Sequence, residues 1–274
     1  MRSSSREERT VAAMKRAWNG WLLALQLFTI IPIQRSIEWN APHVRWLVRT
    51  MPLAGALLGT LAALVYGACA ALSFGPPSFL ALLLLWLGIW LAGGLHADGF
   101  MDVSDAFFSY RDAKRRQEIM ADSRVGAFAV LSLICLLSFR WLFLHEAIKA
   151  GISPALFIAI PLLSRAGAVW LLSAGKLAKS TGMAASLREY SSWRDAAWAL
   201  GLACLVLLLL PAAGVPPAAV VVLAAAMALC SLAAKPWAEK QFGGVSGDVL
   251  GALIEGGETV LWGVLWLLRL SVMG

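Results

Sequence analysis

The residues equipped for chemistry are gathered in one stretch, Gly93 to Gly126, GGLHADGFMDVSDAFFSYRDAKRRQEIMADSRVG, which stands between two strongly apolar runs. It holds His96, Asp98, Asp102, Asp105, Asp112, Glu118 and Asp122 among five Lys or Arg residues. Asp98, Asp102, Asp105 and Asp112 are separated by four, three and seven residues, so on a helix their side chains fall along one stripe. Carboxylates facing one way can share a divalent cation through oxygen. Like charges packed this closely also repel, and a cation removes that cost. Metal binding by Asp98, Asp102 and Asp105 is therefore expected. From Arg111 to Arg124 acids and bases interleave, the pattern of a solvated helix face, and Asp112 through Glu118 are assigned to that role.

Two further polar features stand apart from this stretch. Arg165, in PLLSRAG, lies inside an apolar run, where a guanidinium needs a cavity, a phosphate or a carboxylate from a neighbouring helix. Near the C-terminus, KQFGGVSGD leads into a helix carrying Glu255 and Glu258. Its glycines allow backbone N–H groups to converge on an anion at a helix N-terminus. Two other uses stay open: Asp248 and Glu255 could hold metal from one helix face, or Ser246 or Asp248 could serve as an N-cap in a plain turn.

These groups must be positioned by membrane-spanning helices. Of the 274 residues 60% are hydrophobic and only 14% charged, and the mean hydropathy is +0.75; a soluble globular chain rarely combines these values. The fold expected is all-α, a polytopic integral membrane bundle of about seven spans without a separate soluble domain. The spans are read as Met51–Ser73, Phe79–Leu95, Val125–His145, Ile152–Gly175, Ala196–Leu210, Pro217–Ala234 and Leu250–Leu270. Gly93 and Gly94 supply the break between an apolar helix and the acidic one.

Before the first span, residues 1–17 read as a disordered basic N-terminus, and residues 18–274 as a single transmembrane domain. Trp18 to Ile33 is apolar but short and closed by Pro32, so an interfacial, re-entrant or short spanning helix is expected there. Its basic start imitates a signal peptide, but no small-residue cleavage site follows.

The loops Gln34–Thr50, Asp98–Arg124, Lys176–Asp195 and Lys235–Asp248 hold nearly all the Lys and Arg. The positive-inside rule puts them in the cytoplasm, which gathers the polar stretches on one face. Membrane topology therefore accounts for the net charge of +7, and no basic-aromatic ladder or zinc-finger spacing suggests nucleic acid. Cys69, Cys135, Cys204 and Cys230 lie within apolar segments without C-x-x-C pairing, so neither disulfides nor metal ligands are expected of them.

At the level of segments, GGLHADGFMDVSDAFF followed by RRQEIMADSRVGAFAVL resembles the signature of the cobalamin synthase family, the adenosylcobinamide-GDP ribazoletransferases. That pattern runs close to GGLHxDGxxDxxDG and then RRxEIMKDSRxGAFG. LLALQLFTIIPI, MPLAGALLG, PLLSRAG and FGGVSGDVLGALIE resemble further family segments in the same order, from about Trp21 to Glu258. Departures are few: Ala106 stands for a usual glycine, Ser246 for a usual threonine, and the Lys176–Asp195 loop lacks a glycine-rich form.

The resemblance implies a membrane-bound transferase of the last steps of cobalamin biosynthesis, making residues 18–274 a catalytic domain. In such a reaction a hydroxyl of α-ribazole or its 5′-phosphate attacks adenosylcobinamide-GDP, giving adenosylcobalamin or its 5′-phosphate and releasing GMP. It further implies Mg²⁺ on Asp98, Asp102 and Asp105, completed by Asp248, with His96 or an aspartate accepting the hydroxyl proton. Arg124 and Arg165 would contact phosphate, and Gly243, Gly244, Ser246 and Glu255 would line the substrate. The active site would face the cytoplasm from the cell (plasma) membrane, with lipid around the bundle and a homo-oligomer compatible with it. Two other readings remain on the residues alone: an ion-coupled transporter using Arg165, Glu255 and Glu258, or a phospholipid-type phosphotransferase with the same metal chemistry.

Overall fold

A computed structural model describes residues 2–273, with side chains over 7–269. Met1 lies outside the described residues. Eleven helices follow one another, α1 Arg2–Phe28, α2 Ala41–Ala71, α3 Pro77–Leu91, α4 Leu95–Phe108, α5 Ala113–Ile119, α6 Ala127–Lys149, α7 Leu156–Ala174, α8 Met183–Tyr190, α9 Trp193–Leu209, α10 Pro217–Phe242 and α11 Gly247–Met273. Among the described residues the extended pairing is a single bridge between Leu177 and Val245.

Six helices are long and apolar enough to cross a membrane: α2, α6, α7, α9 with the turn after it, α10 and α11. α3 passes the same test only jointly with α4, and the chain bends by 91° between them. Each of the seven expected spans thus has its helix. The bend comes from Gly93 and Gly94, both left-handed with φ of 66° and 72°, a conformation glycine adopts without steric cost. α4 leaves α3 at about a right angle and packs on the first turns of α11, where Gly99 meets Asp248 and Gly251 meets His96. It therefore runs across the axis of α3, at the end of the bundle where α11 begins.

Helix starts follow the local chemistry. Asn40 caps α2 by accepting from His43 N at 3.1 Å, and Pro76–Pro77 and Pro216–Pro217 open α3 and α10, where a missing N–H costs nothing. Ser192 and Asp195 form a capping box at α9. Two expectations change. The Gln34–Thr50 loop is helical from Ala41, where the Asn40 cap and a proline in the first turn start α2, which then runs on through Pro52. The N-terminal segment expected to be disordered is helical from Arg2, continuous with the Trp18 run.

At the centre stands α7, buried from Leu156 to Leu172 on nearly every side. Where α2 crosses it, Gly55 and Gly59 bring the backbone against Pro161 and Phe157, with no room for a β-carbon. Small residues at such a spacing let spanning helices approach closely, since packing rather than water exclusion holds them together in lipid.

Candidate active site

The two sides of α4 differ in kind. Asp98, Asp102 and Asp105 share one side, the first exposed and the others half-buried. Phe100, Val103 and Phe107 on the other line an apolar cavity of about 850 Å³ shared with α6, α10 and α11. Burial of that apolar side sets the rotation of α4 and turns the carboxylates outward. Asp248, on the first turn of α11, joins them through glycine: a β-carbon on Gly99 would stand 2.9 Å from Asp248 Cα, and one on Gly251 would stand 3.1 Å from the His96 carbonyl oxygen. Burial, then the charges of Asp98, Asp248 and Asp105, push the Asp102 carboxyl up to about 7.

The four acids thus share one electrostatic field. Among the described residues no three His, Cys, Asp or Glu side chains stand in a metal-holding arrangement. The Asp105 carboxylate lies instead against Gly126, the residue before α6.

The GGVSGD turn is a packed element. Gly243 ends α10 at φ 76°, and Gly244 lies flat against Lys176 O and Ala178 N, leaving no space for a side chain. Val245 N donates to Lys176 O at 2.7 Å and Ala178 N to Val245 O at 3.0 Å, which seats residues 176–178 beside the turn. Ser246 Oγ accepts from Val249 N at 3.2 Å and so caps α11, while its hydroxyl lies 3.3 Å from Asp248 Oδ2. The N-cap expected of Ser246 is thus formed.

The remaining candidates lie elsewhere. His96 is on the far side of α4 from the acids, 3% exposed, its ring 6.0 Å from that of Phe28 and its Nε2 without a hydrogen-bond partner. Burial, and then the Arg165 guanidinium, hold its pKa well below the ordinary imidazole value, so it is neutral. Arg124 is on the surface between α5 and α6, where its Nε donates to Asp122 Oδ1 at 3.0 Å. Hydrogen bonds from Arg124 bring Asp122 down to about 2.

Arg165 ion-pairs with Glu258 and donates to Ser164 Oγ at 3.0 Å. Arg140 of α6 completes the group: its Nη2 lies 2.7 Å from Glu255 Oε2, off the hydrogen-bonding direction, and its Nε donates to Thr259 Oγ1 at 2.9 Å. Two arginines and two glutamates therefore neutralise one another within the spans, and Arg140, Arg165 and Glu258 line a cavity of about 60 Å³. Of the partners open to Arg165, the structure supplies the carboxylate.

Residues 20–266 match the family model described as cobalamin-5-phosphate synthase. The chain belongs to this family. Curated proteins named adenosylcobinamide-GDP ribazoletransferase are similar to it: one from Geobacillus thermodenitrificans (strain NG80-2) is 77% identical, over 95% of this chain and 100% of that protein. Another, from Geobacillus kaustophilus (strain HTA426), is 75% identical over the same shares, and one from Halalkalibacterium halodurans is 40% identical over 94% of this chain and 99% of its own length. No solved structure matches. As a member of the cobalamin-5-phosphate synthase family the protein is a transferase of cobalamin biosynthesis, an enzyme built on a multi-pass helical bundle. Membership decides against the transporter and phospholipid readings left open by the residues.

In this cobalamin-5-phosphate synthase family member, α5 departs from the solvated face expected of Asp112 through Glu118. Arg115 and Glu118 do pair in solvent at 2.5 Å. Arg116, by contrast, is buried: it bonds the Gln241 side chain, donates to Phe107 O at 3.3 Å, and stacks over the rings of Phe107 and Phe242 at 5.4 and 6.0 Å. Beside it Gln117 Nε2 donates to Phe242 O at 2.6 Å. α5 is thus a clasp joining the ends of α4 and α10. The signal was the pair Arg116 and Met120, four residues apart and both buried on one side of a charged segment.

Proposed function

We propose that the protein joins adenosylcobinamide-GDP to α-ribazole or its 5′-phosphate at the cytoplasmic face of the plasma membrane. The supporting observation is the convergence of Asp98, Asp102, Asp105 and Asp248 at one end of the bundle. The substrate is carried over from the names of the relatives, and the face from the concentration of Lys and Arg in the loops at that end.

In the reaction a ribazole hydroxyl oxygen forms a bond to the phosphorus borne by cobinamide, the phosphoanhydride bond on that phosphorus breaks, and GMP leaves with the bridging oxygen. The hydroxyl proton must be accepted, and a carboxylate of the stripe is the group we assign, since His96 is packed away on the opposite side of α4. The donor set suits Mg²⁺: hard carboxylate oxygens, one of which, Asp102, is raised to about 7 by burial and then by the charges of the other three. Asp98, Asp102, Asp105 and Asp248 would hold it. Bound there, Mg²⁺ would neutralise phosphate oxygens and the charge developing on the leaving group. The apolar bundle beneath α4 limits water on one side of the acids, which strengthens their hold on positive charge.

Membranes containing the protein, supplied with adenosylcobinamide-GDP, α-ribazole and Mg²⁺, should release GMP and form a complete cobamide in equal amounts. Absence of both products from folded protein would overturn this reading.

A further inference from the structure

A diphosphate substrate brings negative charge to a site that already holds four carboxylates, and one divalent cation does not offset them all. A positive side chain on the substrate side would offset the remainder. The two arginines expected to supply it are engaged: Arg124 with Asp122 on the surface, and Arg165 with Glu258 within the spans. Arg116 is held by Gln241 and two aromatic rings, and Arg115 by Glu118.

Lys179 is in a different position. The Leu177–Val245 bridge seats its segment beside the GGVSGD turn, and the fit is tight enough that Gly244 cannot carry a side chain. Gln117 fastens the same segment from α5, with Nε2 at 2.6 Å from Phe242 O and 3.4 Å from Ala178 O. The Lys179 side chain is exposed, and its Nζ donates to Gln117 O at 3.3 Å. Among the described residues it has no carboxylate within ion-pair distance, so its charge is free for a substrate.

We propose that Lys179 is a substrate-binding residue that takes a non-bridging oxygen of the diphosphate ester, leaving the Gln117 carbonyl to do so. This rests on the acid cluster being the site of phosphate chemistry. An ammonium on a flexible stem suits the task, because it can follow a tetrahedral phosphate as a point charge without a fixed fork geometry. The backbone around it is clamped at Val245 and Gln117, which leaves mainly side-chain entropy to be lost on binding. The Lys176–Asp195 loop, which lacks a glycine-rich form, would then contact phosphate through a side chain.

The test uses the full-length protein in lipid vesicles, with Lys179→Gln, Lys179→Arg, Lys114→Gln as an exposed control, and Asp102→Asn. Lys179→Gln should raise KM for adenosylcobinamide-GDP, and Kd for GDP as a probe, by about tenfold, the equivalent of about 1.4 kcal/mol. KM for α-ribazole should stay put. Lys179→Arg should recover most of the loss, and Lys114→Gln should match wild type. Unchanged KM and GDP binding in Lys179→Gln would overturn the inference; so would equal shifts in both KM values with a lowered Tm, which would mark Lys179 as a tie to Gln117 alone. Asp102→Asn separates the two readings. If it is inactive while Lys179→Gln behaves as wild type, only the Lys179 inference falls. If Asp102→Asn keeps full activity, the acid-cluster reading falls, and Lys179 stands or falls on the GDP affinity.

Discussion

Gly99 of α4 lies against Asp248 of α11 so closely that a β-carbon on the glycine would stand 2.9 Å from Asp248 Cα and 3.0 Å from its carbonyl oxygen. Backbone, not a flexible side chain, faces the added atom, so Gly99→Ala must push the helices apart. Overpacking of this kind costs about 1–3 kcal/mol. It should also move Asp98 and Asp102 away from Asp248. We expect GMP release to fall about tenfold or more while the protein still extracts and runs as a folded species. Wild-type turnover in Gly99→Ala would show that the α4–α11 spacing is immaterial to the reaction.

The Asp102 carboxyl is raised to about 7, by burial first and then by the charges of Asp98, Asp248 and Asp105. Asp102→Asn keeps its size and removes its charge, and loss of a metal contact in phosphoryl transfer costs several kcal/mol, so activity should drop on the order of a hundredfold. High Mg²⁺ should restore part of it if affinity is the defect. The α5 arginines serve as paired controls: Arg115→Gln, in solvent, should match wild type, whereas Arg116→Gln breaks the clasp on Gln241 and Phe107 and should lower Tm. Initial rates at equal membrane abundance and thermal melts in detergent measure all three. Equal Tm for the Arg115 and Arg116 variants would contradict the burial of Arg116.

Removing one member of a buried ion pair strands the other, typically at a cost of about 3–5 kcal/mol. Arg165→Met should therefore destabilise the protein strongly by leaving Glu258 with the more distant Arg140, 3.7 Å away. The double variant Arg165→Met, Glu258→Leu should recover much of that loss. A denaturation series on the two single variants and the double gives the coupling energy. Independent, additive effects would mean that the pair does not form. A double variant that is stable yet inactive would restore a substrate role to Arg165.

Orientation can be read by labelling. In a background lacking the four native cysteines, single cysteines at Tyr110, which is 85% exposed, and at the exposed Lys240 should resist an impermeant maleimide in intact cells and react once cells are opened. A cysteine at Ala213, in the turn at the other end of α9, should react in intact cells. The reverse pattern would place the acids outside.

The sequence by itself determined what depends on near neighbours along the chain. Apolar runs long enough to span lipid had to become helices, since lipid offers the backbone no other hydrogen-bond partner. The Gly93–Gly94 break and the acidic stripe follow from steric freedom and helical period, which are likewise local. The same period puts His96 about two residues, some 200° of rotation, away from Asp98 and so on the opposite side of α4; that was legible and is what burial enforces. What only the tertiary structure decided are contacts between distant segments: Asp248 brought to the stripe by two glycines, Glu258 set beside Arg165, Arg116 drawn out of a charged segment onto two aromatic rings, and Lys179 seated beside the GGVSGD turn by the Leu177–Val245 bridge. Each depends on how closely two helices or loops approach, and that distance is set by packing between segments far apart in the chain, which local composition does not encode.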